Sequence, residues 1–169
     1  MIFWDTETTG LLLPGIEDPK QQPRIIELAA VLLVNGEERA TFTSLFSPGM
    51  ALPAIITKIT GLTDGDLVGA PKFVTKLPEI IDFWRSDPDN SSVAHNHPFD
   101  AGCLVFELRR CGWEHRFPYA SKQIDTVPLS GGKKLENWSR EVIKADAFVA
   151  QTHRALDDVR RLIECWKTL

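Results

Sequence analysis

The chain has 169 residues, 43% hydrophobic and 25% charged, the profile of one globular domain over residues 1–169 with a substantial buried core. Its formal net charge of −4 argues against a protein that coats nucleic acid through a broad basic surface, although giving four carboxylates to bound divalent cations would leave the remainder near neutral and draw phosphate to that site. With no apolar run near the roughly 20 residues of a membrane helix, no basic leader, and three cysteines without a CxxC, a reduced cytoplasmic protein with no membrane partner is expected.

In chain order, Met1 to Thr6 reads as a strand and Thr8-Thr9-Gly10 as a turn. Strand side chains alternate, so Asp5 and Glu7 share one face, and two like charges that close need something positive to compensate them. Leu11 to Pro23 is a proline- and glycine-punctuated loop, Arg24 to Val34 a buried strand, Asn35-Gly36 a hairpin turn and Arg39 to Phe46 a third strand, making a meander. Leu52 to Thr60 and Phe73 to Arg85 read as helices. Ser92 to His95 is a short strand, and the helix Pro98 to Cys111 carries a proline in its first turn, where one is tolerated. On that helix Cys103 and Cys111 would stand about 12 Å apart, too far for a disulfide. Gln123 to Thr126 is a fifth strand, Leu135 to Ile143 a helix and Thr152 to Trp166 the last. Strands first, then strands alternating with helices, indicate α/β or α+β with a mixed sheet. Core packing is the default for the five tryptophans.

Two further places set acids beside His or Asn at element junctions. In SSVAHNHPFDAG a strand runs through His95, Asn96 and His97 into a helix whose first turn holds Asp100; the helix dipole favours the ionised acid there, whether it binds a cation or simply caps the helix. In QTHRALDDVRRLIECW, at about 100° per residue, Ala155, Leu156, Val159, Leu162, Ile163 and Trp166 share one face. Asp158 falls at its border and Asp157 nearly opposite, so Asp158 is the candidate ligand and Asp157 a solvated neighbour. His153 sits at the helix start, able to swing toward the same cleft or to remain a surface or capping residue.

FWDTETTG, VAHNHPFDAG and HRALDD, in that order, resemble the three motifs of the DnaQ-like DEDDh family of 3′-to-5′ exonucleases, the group of the bacterial proofreading epsilon subunit and RNase T. LPAIITKITGLTDGDL resembles that family's link between third strand and second motif, and IDTVPLS with KLENWSREV its approach to the third. His97 stands where a small residue is usual, the loop Leu11 to Pro23 is long, and the connection Pro128 to Lys134 is short. The resemblance implies a ribonuclease H-like α/β fold, a mixed five-stranded sheet flanked by helices. It also implies two divalent ions, Mg²⁺ or Mn²⁺ by the all-oxygen ligand set, held by Asp5, Glu7, Asp100 and Asp158, with Asp5 bridging and Asp100 acting partly through water. His153 would be the general base.

The same resemblance implies that Glu7 and the backbone from Thr8 and Thr9 through Gly10 to Leu11 meet the terminal 3′-hydroxyl, with Leu11 against the last base. Phe99 would stack on the terminal nucleotide unless it is plain core, and Asn96 and Thr60 would position its sugar or phosphate. Lys133 and Lys134 are either phosphate contacts or a solvated pair. The expected activity is metal-dependent removal of nucleoside 5′-monophosphates from single-stranded or frayed DNA 3′ ends; the alternatives are trimming of RNA 3′ ends and a non-catalytic nucleic-acid-binding adaptor. Because the chain stops shortly after its last helix, a stand-alone enzyme is expected, with a polymerase partner and the choice of monomer or dimer left open.

Overall fold

The computed structural model describes residues 1–113, 122–143 and 153–169. The first three strands, β1 (Ile2–Thr8), β2 (Ile25–Val34) and β3 (Glu37–Leu45), form the expected antiparallel meander. Its hairpin turns on Asn35 and Gly36, both at positive φ (54° and 80°), the left-handed pair a tight two-residue turn requires. The short strands β4 (Ser91–Ala94) and β5 (Lys122–Asp125) then add parallel to β1, giving the order β3-β2-β1-β4-β5. β1 is thus the seam between antiparallel and parallel halves. Its carboxyl end, where Asp5 and Glu7 lie, is the kind of strand end at which open α/β sheets bind ligands.

Helices cover both faces, which is why β2 reads as an unbroken apolar run and is buried nearly throughout. Ile2 and Trp4 of β1 pack on one face with Phe73, Ile80 and Trp84 of α2 (Phe73–Arg85) and Leu104 and Leu108 of α3 (His97–Arg110). Phe3, on the alternate face, packs with Trp138 of α4 (Leu135–Val142) and Val159 and Leu162 of α5 (Ala155–Trp166). A further helix, α1 (Ala54–Thr60), closed by Gly61 at φ 72°, sits near a small cluster of Ile26, Leu62 and Leu67. Trp4, Trp84 and Trp138 are core residues as expected, Trp4 and Trp84 meeting edge to face at 5.5 Å.

Most element ends shift by one or two residues from the sequence reading, β1 running through Thr8 where a turn was expected, and two of the helix starts shift for local reasons. The helix expected from Leu52 begins at Ala54, because Pro53 holds an extended backbone (ψ 135°) at its N-cap. The last helix begins at Ala155 and not at Thr152. His153 takes φ 50° and Arg154 is extended (φ −115°, ψ 126°), so neither belongs to a right-handed helix, and Thr152 lies outside the described residues. His97, unusual at its position, is buried: its Nε2 lies 3.0 Å from Ser92 Oγ and its ring meets Trp4 edge-on at 5.5 Å. The three cysteines are free thiols, and no helix among the described residues is long and apolar enough to cross a membrane.

Candidate functional site

Three elements deliver the site. β1 turns Asp5 and Glu7 to the face covered by α5, Asp158 enters in the first turn of α5 with its side chain buried, and His153 precedes that helix on a left-handed backbone. Glu7, His153 and Asp158 each offer a ligand atom, and these atoms all lie within 4.8 Å of one another. Asp5 stands beside them in a cleft of about 430 Å³, whose walls also include Asn96, Lys134, His153 and Asp158. Asp157, one residue from Asp158, is exposed, as the helical angle implied.

Asp100 joins from the opposite side of the sheet. Thr6, whose side chain alternates away from Asp5 and Glu7, donates to Asp100 Oδ1 through both its backbone N–H (3.0 Å) and its hydroxyl (2.6 Å). The acid is therefore fastened to β1 at Thr6, between Asp5 and Glu7 in sequence, though outside the Glu7–His153–Asp158 group.

The electrostatics show what this arrangement lacks. Lost solvation pushes the Asp5 carboxyl well above its ordinary value, and the charges of Asp100, Glu7, Asp158 and Glu27 push it the same way. Glu7 is raised to about 8, by burial first and then by Asp158, Glu27 and Asp100, with Arg154 opposing. Asp100 is raised to about 7 by burial, against the lowering effect of its Thr6 hydrogen bonds. A bound cation would relieve all three together, so the residues present fit divalent metal: Glu7, Asp158 and Asp5 as oxygen donors, with Asp100 behind them.

The residues expected to hold a nucleotide end are placed unevenly. Leu11 is 78% exposed at the end of the loop that follows β1, and Thr8 Oγ1 donates to Gly10 O, which shapes that turn. Thr9 is pinned to β2, its N–H donating to Arg24 O and its hydroxyl accepting from Arg24 N–H, both at 2.9 Å. Asn96 is the N-cap of α3 at φ 71°; its backbone N–H donates to Asp125 Oδ1 and its exposed side chain faces the cleft. Phe99 is half-buried against the core. Thr60 is buried and committed locally, donating to Ile56 O and accepting from Leu62 N–H.

The sequence reading singled out neither Glu27 nor His95 as a working part. Glu27 stands opposite Glu7 in the sheet register and is buried; the signal was one acid inside the apolar run RIIELAAVLLV. His95 uses both ring nitrogens. Lys133 O can only accept, so Nε2 carries the hydrogen (2.9 Å) and Nδ1 takes the Thr126 hydroxyl (2.9 Å), while the ring stacks on Trp138. Burial also lowers its pKa, so His95 ties the turn before α4 to the end of β4 as a neutral imidazole. Lys133 Nζ pairs with Glu141 at 2.5 Å, and Lys134 is exposed at the rim of the cleft.

Comparison with known proteins completes the picture. A family model described as Exonuclease, of the RNase T type, matches residues 2–165. The DNA polymerase III subunit epsilon of Treponema pallidum (strain Nichols) is 32% identical over 173 positions, covering 98% of this chain and 74% of that protein. The 3′-5′ exonuclease DinG of Bacillus subtilis (strain 168) is 31% identical over 162 positions, covering 91% of this chain but 16% of the longer relative. Among solved structures, the nuclease domain of 3′hExo, a DEDDh family member bound to rAMP, superposes with a TM-score of 0.75 over 98% of this chain and 88% of that one; at 21% identity the likeness concerns the fold.

Proposed function

Since this chain belongs to the DnaQ-like DEDDh family of 3′-5′ exonucleases, we propose that residues 1–169 form one exonuclease domain that cuts the terminal phosphodiester from single-stranded or frayed DNA 3′ ends. The observation that carries this reading is the gathering of Glu7, His153 and Asp158 within 4.8 Å, beside Asp5, with no lysine or arginine among the described residues paired to Asp5 or Glu7. Two divalent ions, Mg²⁺ or Mn²⁺, held by Asp5, Glu7, Asp158 and Asp100, would supply charge stabilisation at the phosphate and acidify the attacking water.

The chain's own groups do the rest. His153 takes the proton of the attacking water at an imidazole nitrogen; water oxygen bonds to phosphorus as the bond to the 3′ oxygen breaks. The products are a nucleoside 5′-monophosphate and a strand one residue shorter whose new 3′ oxygen acquires a proton. The backbone of Thr8 to Gly10 and the side chain of Leu11 receive the terminal nucleotide, and Phe99 and Asn96 bound it on the α3 side. Placement in the cytoplasm belongs to the same reading.

DNA is favoured by the relative named as a DNA polymerase III subunit, and trimming of RNA ends by the neighbour bound to rAMP. Matched 5′-labelled DNA and RNA oligonucleotides with Mg²⁺ test both. A ladder shortening from the 3′ end with release of mononucleotides, stopped by EDTA, is expected, faster on DNA; no shortening of either polymer would remove the proposal, and a faster RNA ladder would replace the substrate.

A further inference from the structure

Glu27 of β2 lies directly across from Glu7, an arrangement of like charges that ordinarily destabilises a sheet. It is 3% exposed, yet it is fully engaged. Arg154 Nε donates to Oε2 at 3.0 Å and Arg154 NH2 to Oε1 at 2.8 Å, a two-point fork, while Ala155 N–H donates to Oε2 at 3.2 Å. All three donors belong to the two residues that follow His153. The same carboxylate therefore fixes the main chain where it leaves His153 and enters α5.

His153 needs such a restraint. At φ 50° it occupies a left-handed backbone that is strained for a residue with a Cβ and persists only where its surroundings over-determine it. That unusual turn points the imidazole at Glu7 and Asp158; a regular helix begun two residues earlier would point it elsewhere. Resting on the exonuclease reading above, we propose that the Glu27–Arg154 fork is a positioning device: it holds the residue 153–155 backbone so that His153 stands over the acids, and it contributes through His153 alone. Glu27 and Arg154 touch no substrate in this scheme.

The test uses the full chain with three substitutions: Glu27→Gln, which keeps the shape and loses the charge; Arg154→Lys, which keeps the charge and loses the fork; and His153→Ala. Because the Arg154 side chain is 42% exposed, Arg154→Lys leaves the fold in place. Each of the first two is expected to lower kcat on a labelled oligonucleotide about 10- to 100-fold, with KM within about threefold, as displacement of a reacting group by an ångström does. Added to His153→Ala, Glu27→Gln should lower kcat less than about twofold further, since its target is gone. A full additional loss in that background, or a rise in KM at unchanged kcat, would overturn the proposal.

Imidazole ¹H–¹⁵N spectra give a readout independent of turnover. The His153 resonances should shift or broaden in Arg154→Lys, and unchanged His153 resonances would equally overturn the proposal. An inactive wild-type protein with the expected spectral change would refute the exonuclease reading while leaving the positioning of His153 intact.

Discussion

The molecule buries acids in two places, and they are treated oppositely. On the α3 side, Glu107 is 1% exposed and saturated: Arg24 Nε reaches its Oε1 at 2.8 Å, Ile25 N–H donates to the same oxygen at 3.1 Å, and Arg110 NH1 stands 2.9 Å away. Arg110 in turn donates to the carbonyls of Pro19, Gln22 and Pro23, so this network fastens the long loop to the sheet. On the α5 side, Glu27 is saturated in the same way, but Asp5, Glu7 and Asp100 crowd one another without an ion-paired lysine or arginine among the described residues. Burial of an acid is therefore no mark of a site. What distinguishes a site is a concentration of negative charge that the chain leaves for something else to neutralise.

Removing one acid from each region should separate them most sharply. Asp158→Ala is expected to lower the exonuclease rate about 1,000-fold or more in initial-rate assays while the chain stays folded. Glu107→Gln should instead leave kcat of the folded protein within about twofold and cost roughly 3–5 kcal/mol of stability by urea unfolding, because two guanidiniums lose their partner. A dead but stable Glu107→Gln would break the comparison. Within the acidic region, His153→Ala should cost about 100-fold in kcat, the ordinary share of a general base, with KM little changed.

Next in size is the effect of pH on the metal-free protein. Glu7 sits at about 8 against 4.5 for an unconstrained glutamate, and Asp100 at about 7 against 3.8. A carboxyl raised in the folded state still holds a proton that the unfolded chain has released, so stability is fully present below about pH 4 and falls as pH rises toward 8. In EDTA the melting temperature should drop by about 5 °C or more from pH 5 to pH 8, and Mn²⁺ should restore it at pH 8. An equal melting temperature at both values would show that the acids do not repel as described. The smallest effect is assigned to Leu11→Ala, which should raise KM for an oligonucleotide about fivefold, roughly 1 kcal/mol, without touching kcat.

How much of this was legible in the sequence follows the range of the interactions. The meander, the Asn35-Gly36 turn, the α3 junction and the contrast between Asp158 and Asp157 depend on local periodicity, which a sequence displays directly. The Glu27–Arg154 fork joins residues 127 apart, and the Thr6–Asp100 hydrogen bonds residues 94 apart. No local pattern records such pairings, although a lone acid in an apolar strand hints that one exists. Thr60 shows the converse. Its hydroxyl is absorbed by its own helix end, a competition between side chain and backbone that motif likeness does not reveal.

The central claim is that the acids gathered from β1 and α5 form a pocket of negative charge that divalent ions complete. Calorimetric titration of the full chain with Mn²⁺ tests this most directly, beside Asp5→Asn and Glu107→Gln. Saturable binding in the wild type and in Glu107→Gln, lost or weakened at least about tenfold in Asp5→Asn, is the predicted result; heats of binding that are absent from the wild type, or indifferent to the loss of Asp5, would contradict it.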